Sequence, residues 1–346
     1  MGFLDEAGTP LILAEIQYVP KLLHFVKDRI DQDRSPGRWL MTGSQSFSLM
    51  RGVSQTLSGR IAVLALDPFS TSEVREKNGP ENLDELLAAV FDKGIQQGVS
   101  QTVELVDWLL RGGFPEPRAN PEVDRQLWFS SYVQSYLERD VRDLAQVADL
   151  SLFSRFVMLV GSCTGNNLNM IELSRELGVS GPTVKRWLSV LETSQIIHLL
   201  YPYHRNFGKR IRKSPKVYFL DPGVDTYLLG LHTREAVLQG PSLGVLTETA
   251  VIGEWLKAFR QKGEHPGLHY WQPAGGSEGD LIIERDGRLY GVEVKATATA
   301  TPRHAQSLAR WLRLAGPSAS GALACRVAQP LTLGSGIKTV SWHLGW

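Results

Sequence analysis

The sequence lacks several features that would assign it to common protein classes. It has only two cysteines in 346 residues, Cys163 and Cys325, too few for a disulfide framework or a cysteine metal site. It has no apolar run of the roughly 18 residues that span a bilayer, and no signal-peptide pattern at its N-terminus. Its 37 Lys and Arg nearly balance 36 Asp and Glu, so any surface for a polyanion must be local. We therefore expect a cytoplasmic protein with no membrane partner.

The sequence also contains no GxxxxGK[ST] loop, the motif that cradles nucleotide phosphates. Residues 1–70 nevertheless alternate short apolar runs with amphipathic segments. The runs at 11–16, 38–43 and 60–66 are typical of buried strands, and 19–30 predicts a helix with one apolar side. Apolar strands separated by helices predict a parallel α/β layer, here incomplete with three strands.

Three polar residues stand where nucleotide hydrolases place catalytic groups. Glu15 follows the first strand, where a glutamate orients the attacking water, but Ala14 takes the place of the Mg²⁺-binding aspartate. Thr42 follows the second strand, where a side chain senses the γ-phosphate, and Arg60 is placed as an arginine finger. The alternative for Glu15 alone is a buried strand that happens to end in glutamate.

The middle of the chain changes to a helical pattern. Residues 71–150 predict helices, and 171–192 predict a helix-turn-helix with Gly178 in the turn and Ser180 as the N-cap of the second helix. A strand-like run at 196–203 follows, which favours a winged helix.

Four basic residues in this region are candidate DNA contacts. Lys185 and Arg186 lie on the second helix of the helix-turn-helix, and Lys209 and Arg210 lie in a basic run that fits a wing. The alternative is a winged helix that serves packing between domains, with a solvated basic hairpin.

The last hundred residues alternate helices and strands. A helix over about 244–260 precedes a strand at 269–273, and 280–296 reads as a hairpin that turns at Asp286-Gly287. A helix from Gln306 to Leu314 and a strand at 321–327 follow.

Acidic residues of this region occur in the order of a metal-dependent nuclease. Asp280 begins the hairpin, and period-two alternation places Glu293 and Lys295 on one face of its second strand. This pattern resembles the core of the PD-(D/E)xK nucleases, in which carboxylates hold Mg²⁺ and the lysine stabilises charge at the reacting phosphate.

The helix before the hairpin supplies the remaining acidic candidate. Glu248 fits the acidic position of the first helix better than Glu254, so the predicted metal ligands are Glu248, Asp280 and Glu293. The nuclease pattern has a further acidic residue shortly before the aspartate. Glu278 either takes that position or is displaced from it. The alternative is a surface salt bridge on a hairpin.

Many motifs in register resemble the bacterial and archaeal AAA-type ATPases that end in a conserved domain of unknown function. They are LILAEIQYVPKLL, RWLMTGSQSFSLM, LSGRIAVLALDPFS, LLRGGFPEP, YLERDV, IELSRELGVSGPTVKRWLSVLE and KVYFLDPG. The resemblance implies ATP and Mg²⁺ as cofactors. It also implies an N-terminally truncated member, because these residues begin after the place of the P-loop.

The sequence thus predicts an α/β protein of four parts. These are a partial P-loop-type parallel α/β core (1–70), a helical lid (71–150), a winged helix (151–235) and a restriction-endonuclease-like α/β domain (236–346). The predicted role is nucleotide-dependent regulation or DNA handling, with weak or absent ATP hydrolysis. The alternatives are a Mg²⁺-dependent nuclease and a non-catalytic DNA-binding module. Expected partners are DNA, further copies of the chain or a P-loop-bearing chain.

Overall fold

The fold is seen in a computed structural model that describes most of the chain. The described residues are 2–43, 56–77, 79–93, 104–136, 149–204, 214–273, 278–327 and 329–344. Two of the predicted DNA contacts, Lys209 and Arg210, lie outside them. Within the described residues, no helix is both long enough and apolar enough to cross a membrane.

The N-terminal unit is a small parallel α/β layer. It consists of α1 (Gly2–Ala7), β1 (Leu11–Leu13), a 3₁₀ turn (Ile16–Tyr18), α2 (Leu22–Gln32) and β2 (Trp39–Met41). The strands β1 and β2 pair in parallel, as predicted, and Leu11 lies opposite Trp39. The apolar side of α2 covers the strands, since Leu23 and Val26 are buried in a cluster with Leu13 and Ile16.

The prediction of three buried strands in this unit is wrong in two respects. Residues 60–66 form no strand, and Leu64 and Leu66 in that run are 84% and 99% exposed. An apolar run becomes a strand only when a neighbour completes its hydrogen bonds, and no described residue pairs with this one. The two strands that do form are not fully buried, because Ile12 and Leu40 are 66% and 55% exposed.

Short helices occupy the next part of the chain, as predicted. They are α3 (Thr71–Val74), α4 (Leu83–Leu87) with a π-helical continuation (Ala88–Lys93), α5 (Leu105–Arg111), α6 (Pro115–Ala119) and α7 (Arg125–Tyr136). Side chains of α4 and α5 are buried in the same core as the C-terminal sheet.

The predicted helix-turn-helix is confirmed. Its two helices are α9 (Met170–Leu177) and α10 (Gly181–Thr193). The helix α8 (Leu150–Ser162) precedes them, and the antiparallel pair β3 (Ile197–Leu200) and β4 (Lys216–Phe219) follows. Gly178 ends α9 with a φ of 67°, a conformation that glycine adopts without strain. The Ser180 side chain accepts a hydrogen bond from the backbone N–H of Thr183 and caps α10.

The C-terminal part follows the predicted order of elements. After α11 (Pro222–Leu228) and α12 (Arg234–Gln239) come α13 (Leu243–Gln261), β5 (Leu268–Trp271), β6 (Gly279–Arg285), β7 (Arg288–Val294), α14 (Gln306–Ala315), β8 (Ser320–Cys325) and β9 (Lys338–Ser341). The five strands form one sheet in chain order, antiparallel from β5 to β7 and parallel from β7 to β9. The hairpin turns at Asp286 and Gly287, whose φ angles of 48° and 76° suit a tight turn.

Gly112 and Gly113 lie between α5 and α6, and we call them the double-glycine loop. This loop contacts the N-terminus of α11. The buried Asp221 accepts hydrogen bonds from the backbone N–H groups of Gly113 (2.6 Å), Gly223 (2.9 Å) and Val224 (3.2 Å). Gly113 also accepts a hydrogen bond from the N–H of Phe69 (2.8 Å). One carboxylate therefore caps α11 and anchors the loop that precedes α6.

Candidate functional site

Four carboxylates from three elements of the C-terminal part form one acidic cluster. We call Glu248, Glu278, Asp280 and Glu293 the acidic cluster. Glu248 lies on α13, Asp280 lies at the start of β6 with Glu278 just before the strand, and Glu293 lies near the end of β7. The antiparallel register of β6 and β7 places Leu281 opposite Val292. As a result the start of one strand meets the end of the other.

The hairpin holds its two carboxylates in defined positions. Asp280 accepts a hydrogen bond from the backbone N–H of Val294 at 2.7 Å. The Lys295 ammonium lies 2.7 Å from a Glu293 carboxylate oxygen and 3.7 Å from one of Asp280. Glu293 and Lys295 therefore lie on one face, as alternation predicted, with the Lys295 side chain 37% exposed and that of Glu293 5% exposed.

Two further side chains enter the acidic cluster from β4, which sequence reasoning missed. The Lys216 ammonium lies 3.2 Å from Glu248 Oε1 and 2.5 Å from Glu278 Oε1. The hydroxyl of Tyr218 donates a hydrogen bond to the same oxygen of Glu248 at 2.5 Å. The available signal was a lysine in the otherwise apolar strand KVYF, whose period places Lys216 and Tyr218 on one face.

Crowding and burial perturb the acid–base properties of the acidic cluster. Burial and the nearby charge of Asp280 raise the pKa of both Glu248 and Glu293 to about 7, although Lys216 and Lys295 oppose this rise. Burial disfavours the charged form of Lys216, but Glu248, Glu278 and Asp280 outweigh it and raise the lysine pKa.

The acidic cluster does not form a metal-ligand set as it stands. Among the residues that the structure describes, no group of three or more His, Cys, Asp or Glu is arranged to hold a metal ion. The ammonium groups of Lys216 and Lys295 contact the carboxylates instead. Glu293 Oε2, however, is a buried oxygen for which the described residues supply no hydrogen-bond donor.

Glu254, the less favoured candidate on the same helix, has a structural role. Its carboxylate accepts hydrogen bonds from the backbone N–H of Thr71 (2.9 Å) and from the Thr71 hydroxyl. The buried Lys257 ammonium lies 3.5 Å from it and donates to the carbonyl of Phe69. These contacts attach Phe69 and the first residue of α3 to α13.

The structure brings together two of the three residues predicted from nucleotide hydrolases. The N–H of Ile16 donates to the carbonyl of Thr42 (3.1 Å), and the N–H of Thr42 donates to that of Leu13 (2.9 Å). Glu15 and Thr42 are therefore neighbours at the carboxyl ends of two parallel strands, where α/β sheets bind ligands. Arg60 is instead held within the chain, because its guanidinium donates to both carboxylate oxygens of Asp31 at 2.6 and 3.1 Å.

The described part of the predicted DNA surface lies on α10. Lys185 and Arg186 are exposed and line an open groove of about 480 Å³ together with Pro182 and Ser189. Their charges are therefore accessible to a phosphate backbone.

Three family models match consecutive parts of the chain. A model of an AAA domain matches residues 2–75, and two models of domains of unknown function match residues 102–235 (DUF8612) and 243–344 (DUF4143). These matches support a similarity of the chain to AAA-like ATPases. The AAA match contains the parallel pair β1 and β2, and the DUF4143 match contains the whole acidic cluster.

Similar curated proteins are themselves uncharacterized. One protein of Mycobacterium tuberculosis and one of Mycobacterium bovis are each 30% identical over 290 residues, 84% of this chain and 59% of the relative. A protein of Methanocaldococcus jannaschii is 23% identical over 212 residues, 61% of this chain and 42% of the relative. The chain thus spans 59% of the length of the mycobacterial proteins. No solved structure matches the chain.

Proposed function

We propose that this chain is an AAA-like ATPase-family protein with a nucleotide-dependent regulatory or DNA-handling role. The observation that carries the proposal is the match of residues 2–75 to an AAA domain, in which Glu15 and Thr42 meet at the ends of parallel strands. These 346 residues contain no phosphate-cradling loop, and Ala14 replaces the metal-binding aspartate. They accordingly hydrolyse ATP weakly or not at all unless a P-loop-bearing chain completes the site.

The first prediction concerns nucleotide binding by the chain alone. We expect labelled ATP with Mg²⁺ to bind weakly or not at all, because the backbone cradle, the lysine and a metal carboxylate are missing. Loss of a single oxyanion donor already costs about 3 kcal/mol in other enzymes. Glu15→Gln should leave the background hydrolysis rate unchanged. Micromolar ATP affinity with steady hydrolysis that Glu15→Gln abolishes would contradict the prediction.

The second prediction concerns DNA. If α10 contacts phosphates, Lys185→Ala/Arg186→Ala should weaken binding to duplexes of any sequence and reduce the slope of log affinity against log salt by about 2. Fluorescence anisotropy at several salt concentrations measures this slope. The matched control, Arg310→Ala/Arg313→Ala, removes two exposed charges from α14. Equal slopes for both double variants and the parent would mean that the helix-turn-helix serves packing within the protein and does not contact DNA.

A second candidate function is Mg²⁺-dependent cleavage of nucleic acid at the acidic cluster. It is supported by the predicted order of Glu248, Asp280, Glu293 and Lys295 and by the contacts of Lys295 with Asp280 and Glu293. It is also supported by Glu293 Oε2, a buried oxygen to which no described residue donates a hydrogen bond. A divalent cation would satisfy this oxygen and relieve the repulsion between carboxylates.

The third prediction tests this candidate with two variants. A ligand present at 100 times its Kd stabilises a protein by about 2.7 kcal/mol, so Mn²⁺ or Mg²⁺ should raise the melting temperature. Lys295→Ala should abolish cleavage of DNA yet keep this stabilisation, since an ammonium group is not a metal ligand. Asp280→Ala should lose both. A parent protein that shows neither stabilisation nor cleavage of DNA or RNA would exclude the nuclease.

A further inference from the structure

The second lysine of the acidic cluster comes from a different part of the chain from the carboxylates. Lys216 lies on β4, within the residues matched by the DUF8612 model, whereas all four carboxylates lie within the DUF4143 match. The strand β4 packs against α13, which carries Glu248. The ammonium group therefore reaches the acidic cluster across the junction of two matched regions.

The surroundings of the Lys216 ammonium resemble those of a bound cation. Its nitrogen contacts one oxygen each of Glu248 and Glu278 and lies 5.6 Å from the centre of the Tyr270 ring. The side chain is only 7% exposed, so little solvent screens these interactions. The lysine thus neutralises two carboxylates that a metal ion would otherwise share.

A divalent cation and this ammonium group are mutually exclusive neighbours. Like charges a few ångströms apart repel strongly where water is scarce, and Glu248 and Glu278 each place one oxygen against the Lys216 ammonium. This arrangement accounts for the coexistence of four close carboxylates with the absence of a metal-ligand set among the described residues. Lys216 also leaves Glu293 Oε2 unsatisfied, a buried oxygen to which none of the described residues donates a hydrogen bond.

We propose that Lys216 is an internal competitor for a divalent cation: it holds Glu248 and Glu278, and tight metal binding requires its removal from the acidic cluster. This inference rests on the second candidate function, metal-dependent chemistry at the same carboxylates. It makes the contact between β4 and α13 a determinant of metal affinity, so that a shift of the middle region would expose or block the acidic cluster.

The experiment measures Mn²⁺ binding to the whole chain by electron paramagnetic resonance of the free ion. Lys216→Met should lower the Kd for Mn²⁺ on the order of tenfold relative to the parent, because one unit of competing charge is gone. Lys216→Gln serves as a second variant, since its amide still donates a hydrogen bond to a carboxylate if the apolar replacement prevents folding. Lys262→Met, an exposed lysine just after α13, is the matched control and should not change the Kd.

The outcomes separate the inference from the function on which it rests. Glu293→Gln added to Lys216→Met should remove the gain in affinity, which places the ion at the acidic cluster. Equal Mn²⁺ affinity of the parent, Lys216→Met and Lys216→Gln would overturn the inference while leaving the metal-dependent candidate in place. Absence of Mn²⁺ binding by every variant would overturn both.

Discussion

Gly113→Ala should destabilise the protein by about 3 kcal/mol, and the reason is the crowding of the double-glycine loop. A Cβ at this position would lie 2.3 Å from the carbonyl oxygen of Phe69, and a backbone atom cannot rotate away. Moving the loop would also break the 2.6 Å hydrogen bond from the Gly113 N–H to the buried Asp221. The carboxylate would then keep its desolvation cost with one fewer donor.

Denaturant unfolding followed by circular dichroism measures this loss, and Gly244→Ala is the matched control. Gly244 lies in the first turn of α13, where an added Cβ meets no atom within 4 Å. Alanine is the better helix former, so the control should leave the free energy of unfolding unchanged or raise it by up to about 1 kcal/mol. Similar unfolding midpoints for the two variants would show that the contact of the loop with Phe69 and Asp221 is unimportant.

Asp225→Asn should change how stability depends on pH. Asp225 is fully buried in α11; burial raises its pKa to about 8, and the nearby charge of Asp221 reinforces the rise. The folded state therefore keeps a proton that the unfolded state loses near pH 4. The wild type loses stability through this group as pH rises from about 4 to 8, by about 2 kcal/mol between pH 6 and pH 8.

The asparagine variant cannot lose this proton, so its stability relative to the wild type should increase with pH up to about 8 and then stay constant. Urea unfolding at pH 6, 7 and 8 checks this, because carboxyls shared by both proteins, such as Glu248 and Glu293, cancel in the difference. Glu235→Gln, which removes an exposed carboxyl, should run parallel to the wild type. A constant difference between Asp225→Asn and wild type across this range would contradict the proton assignment.

Local sequence patterns determined the helix ends and turns, because the residues that form them are neighbours in the sequence. Ser180 and Gly178 mark helix ends because their side chain or their backbone freedom acts within one turn. Asp286-Gly287 marks the hairpin for the same reason, and strand alternation then places Glu293 beside Lys295. Local rules failed for residues 60–66, since strand formation depends on a partner that the apolar run itself does not specify.

Only the tertiary structure decided which residues share a site. The sequence alone identified Glu248, Asp280, Glu293 and Lys295 as residue types in a plausible order, and determined that these 346 residues carry no phosphate-binding loop. It did not identify Lys216, because a lysine 32 residues before Glu248 meets it only through the packing of β4 on α13. Such long-range contacts form when the face of one helix or strand is buried against another. Residue spacing within one element does not specify which other element it packs against.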